Sequence, residues 1–153
     1  MIRLATVSLL AVGALACAAP SFAASASDWS KAADKICART NADIDRIPEP
    51  DSAKTLIAGT EKILALGKRQ TSDLAELKRP SGDATTIAQL VGNYEQQVGS
   101  IKALIAALRR DDQLKVAAVL DQVKVKAVLA QGNALESKAN ALATKLGAKK
   151  CAD

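Results

Sequence analysis

The stretch DATTIAQLVGNYEQQVGSIKALIAALRR, residues 83–110, carries the clearest structural signal in the chain. Ile87, Val91, Tyr94, Val98, Ile101, Ile105 and Leu108 recur at alternating spacings of four and three. Such spacing lays the apolar side chains along one stripe of a helix, whereas a strand would alternate every second residue. Immediately upstream, Pro80-Ser81-Gly82 is a turn and Asp83 has the residue type of an N-cap.

Working outward, the same period predicts a helix over 52–79, with Leu56, Ile63 and Leu77 on its seam and Ile57 and Leu64 beside them. Pro48 and Pro50 separate it from a first helix over 28–47. Ala33, Cys37, Thr40, Ile44 and Ile47 form the stripe of that helix, flanked by Trp29 and Ile36. Downstream, Arg109-Arg110-Asp111-Asp112 pairs basic residues at a helix end with acidic residues at the next start. A fourth helix is expected over 112–146, seamed by Val128, Gly132, Leu135, Ala139, Leu142 and Leu146 and stopped by Gly147. Four amphipathic segments with short connections predict an all-α, up-down-up-down four-helix bundle.

Residues 1–24, MIRLATVSLLAVGALACAAPSFAA, read as a signal peptide ahead of a single domain over 25–153. A basic Arg3, a short apolar run from Leu4 to Ala16, and small residues after Pro20 are its parts. Cleavage after Ala23 or Ala26 fits the small-residue rule. Cys17 closes the apolar run where a bacterial lipoprotein signal places its acylated cysteine. Ala14 and Leu15 fit that signal poorly, which favours a cysteine discarded with the leader over a lipidated one. The expected location is therefore outside the cytoplasm: periplasmic, extracellular, or held on the envelope by a lipid.

Removal of the leader leaves Cys37 and Cys151, an even count that reads as one disulfide in an oxidising compartment. Ideal hairpins set Cys37 level with about Glu61, Ile101 and Asp121. Cys151 then lies 30 residues beyond Asp121, about 45 Å along a straight helix. A bridge needs slack after Ile47, a fold-back after Gly147, or a break at Gln131-Gly132-Asn133, where Asn133 and Glu136 have capping-box spacing.

Composition excludes much chemistry. The chain has no histidine, so Ser-His and Cys-His catalysis and imidazole metal or haem ligation are closed to it. No Cys-x-x-Cys pair and no glycine-rich phosphate loop occur. Asn41, Asp43 and Asp45 start like a calcium loop, but Arg46 stands where glycine is required and Ser52 where glutamate is. Asp111 and Asp112 read as helix caps rather than an acid–base pair. No catalytic residue, metal site or cofactor is expected, and the chain reads as non-enzymatic. Beyond the leader, the excess positive charge falls on the second and fourth helices, which lie diagonally in such a bundle. With so few aromatics, nucleic-acid binding is not expected. Lys145, Lys149 and Lys150 form one basic cluster at the carboxyl end.

One constellation stands out. Aligned hairpins bring Trp29 near Gly67 and Gln70, with Tyr94 and with Val128, Gln131 and Gly132 at the same level. Glycine leaves room there, and Gln70, Gln131 and the Tyr94 hydroxyl would line a small pocket beside Trp29. Ordinary packing of large rings into the gaps is the plainer reading.

The order of features resembles a loose group of uncharacterised exported bacterial proteins and lipoproteins. Ile36-Cys37-Ala38 with Asn41, Pro48, and Ala143-Thr144-Lys145-Leu146-Gly147 ahead of Cys151 carry the likeness. It implies a shared Cys37–Cys151 bridge and adds weight to lipidation at Cys17, and it brings no activity. The expected function is an interaction or structural module of the cell envelope, acting on an envelope protein or a lipid surface. The alternatives are a small-molecule-binding bundle and an amphipathic protein that opens on lipid. An apolar seam left exposed would also make a homo-oligomer.

Overall fold

The structure, a computed structural model, describes residues 25–110 and 123–152. The leader, Cys17, Asp111 and Asp112 lie outside the described residues. Among those described are four helices, α1 (Ala26–Ile44), α2 (Ala53–Glu76), α3 (Ala84–Leu108) and α4 (Val123–Lys145), then a 3-10 turn at Lys149–Cys151. The chain is an all-α four-helix bundle. Neighbours in sequence pack as neighbours in space, α1 on α2, α2 on α3 and α3 on α4. The 3-10 turn packs on both α1 and α4, and so bridges the first helix to the last.

The helix ends follow their local chemistry. Ser25 caps α1 by accepting from the Asp28 amide at 3.0 Å. Ser52 caps α2 in a reciprocal box with Thr55. The Thr55 hydroxyl also donates to Asp51 Oδ1 at 2.9 Å, and this bond, with Ser52, holds the Asp51 carboxyl below its ordinary range. Asp83 occupies the N-cap of α3 as expected, but its side chain makes no capping bond. At the end of α4 the Ala148 amide donates to the Ala143 carbonyl and the Gly147 amide to that of Thr144. These are the two bonds of a glycine-terminated helix stop, with Ala143 and Ala148 both buried beneath it.

Gly147 takes φ +73°, the left-handed region. A Cβ there would meet nothing closer than the Ser30 Cβ at 4.0 Å, so space does not forbid a side chain. Backbone strain alone then sets the cost of Gly147→Ala, and about 1 kcal/mol of lost stability is expected. Chemical denaturation checks this, and an unchanged midpoint would show that the tail turns back without needing glycine.

The core is divided between the two ends of the bundle. At one end Trp29, Ala33 and Cys37 meet Leu74, Ile87, Leu90, Val91, Ala139, Ala143, Leu146, Ala148 and Cys151. At the other, Ala53, Leu108 and Val125 pack with Leu56, Ile57, Leu104 and Ala107. The predicted seam of α3 behaves accordingly. Ile87, Val91, Ile105 and Leu108 at its ends are buried, while Tyr94, Val98 and Ile101 at its middle are only half-buried. Leu74, fully buried, was not on the predicted seam of α2.

Sulfur atoms of Cys37 and Cys151 are 2.04 Å apart with Cα atoms at 5.1 Å, a disulfide. Three departures from ideal hairpins make it reachable. First, α1 lies further along α2 than expected: Gln70, not Glu61, stands beside Cys37. Arg39 pairs with Asp73, and Arg69 with Asp43 at 2.5 Å, in that same register. Second, Leu108 faces Val125, so Ile101 lies against Val128 and Gly132 rather than Asp121. Third, Gly147 turns the tail back. No break at Gly132 is used, since α4 runs unbroken through it.

Candidate functional site

Between the two packed ends, the middle of the bundle is built from small and polar side chains. Thr40, Thr60, Thr71 and Ser100 are buried there and each hydroxyl donates to the carbonyl four residues back. Such residues satisfy themselves within their own helix and fill little space between helices. Gly67 and Gly132 add no side chain at all. The result is a cleft over the α2–α3 floor, with α1 on one wall and α4 on the other.

The cleft has three compartments that meet at Gln97. A polar one of about 200 Å³ is lined by Asn41, Gln70, Tyr94, Gln97, Glu136, Asn140, Lys150 and the disulfide. An interior apolar one of about 110 Å³ runs between Ile44, Ile63, Gly67, Val98 and Ile101. An open apolar groove of about 200 Å³ lies between α3 and α4, along Ile101, Leu104, Val128, Leu129 and Gly132.

Gln97 Nε2 is buried and has no hydrogen-bond partner among the described residues. The same is true of Asn93 Oδ1, a buried acceptor one turn earlier on the same face of α3. Gln70 Nε2 has only the Cys37 sulfur, a weak acceptor, at 3.4 Å. Other polar groups here secure the tail. The Tyr94 hydroxyl donates to the Cys151 carbonyl at 3.0 Å, and Asn41 Nδ2 to the Lys150 carbonyl at 3.3 Å. The Lys150 amide donates to Asp34 Oδ1 at 2.7 Å. The polar wall is thus held in place by the disulfide and three hydrogen bonds from the tail to α1 and α3.

Burial pushes the Tyr94 hydroxyl up to about 12 from an ordinary 10. A group whose folded pKa is raised favours its protonated form in the native state. Its stabilising contribution is therefore complete below pH 10 and is lost as pH rises towards 12. Ultraviolet difference absorbance of the single tyrosine should show no ionisation at pH 10 and a step near 12, coincident with loss of the tail's docking. Ionisation at an ordinary pH would mean that Tyr94 is open to water.

Of the residues expected to share a pocket, Gln70 and Tyr94 do line one compartment. Trp29 sits instead in the buried core at the bundle's end, its Nε1 buried without a partner among the described residues. Gln131 is exposed and lines none of the three compartments. The shifted register of α4 accounts for this: Glu136 and Asn140, about one and a half and two and a half turns further on, face the level of Tyr94. Gln97 was missed, although Asn93, Gln97 and Ser100 repeat at helical spacing beside the apolar seam and were legible as a polar stripe.

No group of three cysteine, aspartate or glutamate side chains among the described residues is arranged to hold a metal ion. Asn41 and Asp43, from the calcium-like run, are engaged by the tail and by Arg46 and Arg69. No helix among the described residues is long and apolar enough to cross a membrane. What the site offers is amide and hydroxyl groups, with Glu136 and Lys150, next to apolar surface. The chain matches no family model, no curated protein and no solved structure.

Proposed function

We propose that this chain is an exported, non-enzymatic binding module of the cell envelope, whose working site is the cleft between α1 and α4. The observation that carries this reading is the cleft itself, a polar compartment and two apolar ones that meet at Gln97. Ligand pockets pair apolar lining with a few polar groups, and this cleft holds both. The leader-like segment and the disulfide support export. Small-molecule binding thereby takes precedence over a purely structural role. Docking of an envelope partner is the second reading, favoured by the exposed Leu129 on the rim of the groove.

Intact mass of the protein from its native host, with and without reductant, tests export. An N-terminus at Ala24 or Ser27, or an acylated Cys17, with a two-hydrogen gain on reduction is expected. A chain that retains Met1 and two free thiols would overturn it. Native mass spectrometry of the same sample tests the site. A co-purifying small molecule is expected with the unaltered protein and not with Gly132→Phe, which fills the groove; the same adduct on both would move binding elsewhere.

A further inference from the structure

The Cys37–Cys151 disulfide clasps the bundle, and both of its cysteines also line the polar compartment. We infer that this bond is a site of thiol–disulfide exchange reached through the cleft. A small thiol attacks Cys151, Cys37 departs, and the thiol is left joined to the tail. The inference rests on the clasp alone and stands whatever the groove between α3 and α4 binds.

Three differences between the two cysteines assign their roles. Cys151 is 7% exposed and Cys37 only 1%, so an attacker reaches Cys151 first. Cys37 lies well inside α1, where helical bonds on both sides fix its backbone. Cys151 closes a three-residue 3-10 turn, whose poorer hydrogen bonds give way at lower cost. The surroundings of the sulfurs differ as well. Gln70 Nε2 donates to Cys37 Sγ at 3.4 Å, whereas Cys151 Sγ lies 3.5 Å from the Ala33 carbonyl oxygen. Sulfur in a disulfide is a weak acceptor, but a hydrogen bond to an anion is about twice as strong as a neutral one. The Gln70 bond therefore strengthens as charge develops on Cys37, while the Ala33 oxygen would repel charge on Cys151. Cys37 is the better leaving group.

The chemistry balances as follows. The thiolate of the small thiol forms a bond to Cys151 Sγ, and the electron pair of the broken disulfide leaves on Cys37 as its thiolate. A second small thiolate attacking the mixed disulfide frees Cys151. Two small thiols are then oxidised to one disulfide, and their protons end on the two cysteines. The compartment, about 200 Å³, has room for a small thiol and none for a protein. The turn bridges α1 to α4, so each adduct forms on the wall that closes the cleft.

The test mixes the oxidised, folded protein with free cysteine, stops exchange with acid and locates the cysteinyl adduct by peptide mass. The adduct is expected on Cys151, at a rate that rises in proportion to cysteine concentration. Gln70→Leu should slow the reaction about tenfold, the rate equivalent of losing part of a hydrogen bond to an anion. General loosening of the fold by that variant would speed exchange, so the direction separates the two effects. A reduced protein dithiol, excluded from the compartment, should open the bond no faster than the protein unfolds. An adduct on Cys37, or on both cysteines equally, overturns the assignment of roles. A rate that levels off at the unfolding rate, or a protein dithiol that matches free cysteine, overturns the route through the cleft. Unslowed exchange in Gln70→Leu removes Gln70 from the reaction and with it the reason for Cys37 to leave.

Discussion

Reduction of the Cys37–Cys151 bond is expected to lower the unfolding free energy by about 4 kcal/mol. The two residues are 114 apart in sequence, so the bond restrains nearly the whole described body in its unfolded state. Loop-closure entropy grows slowly with length, which places the figure near the upper part of the usual range. The effect on structure should be uneven. α1 has two main neighbours, α2 and the C-terminal turn. Without the bond, the turn still has the hydrogen bonds from Asn41, Tyr94 and the Lys150 amide, its packing on α1 and α4, and burial of Ala148. Hydrogen exchange should therefore rise first in α1 and the tail, and least in α3, which is flanked on both sides. Guanidinium denaturation with and without reductant, and of the Cys37→Ala/Cys151→Ala pair, gives the magnitude. A loss below about 1 kcal/mol would mean that the reduced chain stays closed in its unfolded ensemble or that the clasp is held by the hydrogen bonds alone.

Trp29→Ala is expected to cost about 3–5 kcal/mol, the range for emptying an aromatic site in a packed core. Trp29 is 2% exposed and sits among Ala33, Leu74, Leu90, Ala143 and Leu146. Its alanine neighbours are short and cannot reach across to refill the space, so little collapse should offset the loss. Trp29→Phe should cost far less. It keeps most of the apolar body and removes Nε1, a buried donor without a partner among the described residues. Thermal melts of the two variants separate these effects. Equal losses would show that the indole nitrogen is satisfied, or that the ring's full width is indispensable. Neither variant touches the lining of the cleft.

Both predictions concern the clasped end of the bundle, and they explain how the middle can remain loosely filled. Two packed ends and a covalent clasp hold the helices at fixed spacing, so the cleft need not be filled for the fold to stand.

Local chemistry alone determined the helices and where they stop. Pro48 and Pro50, Ser52 with Thr55, Pro80-Ser81-Gly82 and Gly147 each act on the backbone within a few residues, so their effect is legible without a tertiary structure. The apolar stripes followed from helical period, and cysteine parity beyond the leader-like segment pointed to the pair that the structure joins. Register was not legible. A repeat of four and three looks much the same after a slide of one heptad, so many alignments of α1 on α2 and of α4 on α3 bury similar seams. Contacts between residues far apart in sequence broke that degeneracy: Arg39 with Asp73, Asp43 with Arg69, Glu61 with Arg109 at 2.5 Å, and Leu108 with Val125. Register in turn set the site, bringing Gln70 and Tyr94 together, carrying Gln131 away and placing Gln97 at the centre. The sequence by itself determined which residues are helical and which faces are apolar, because those depend on neighbours along the chain. Only the tertiary structure decided which faces meet and where the cleft between them opens, because a periodic pattern carries no mark of its own origin.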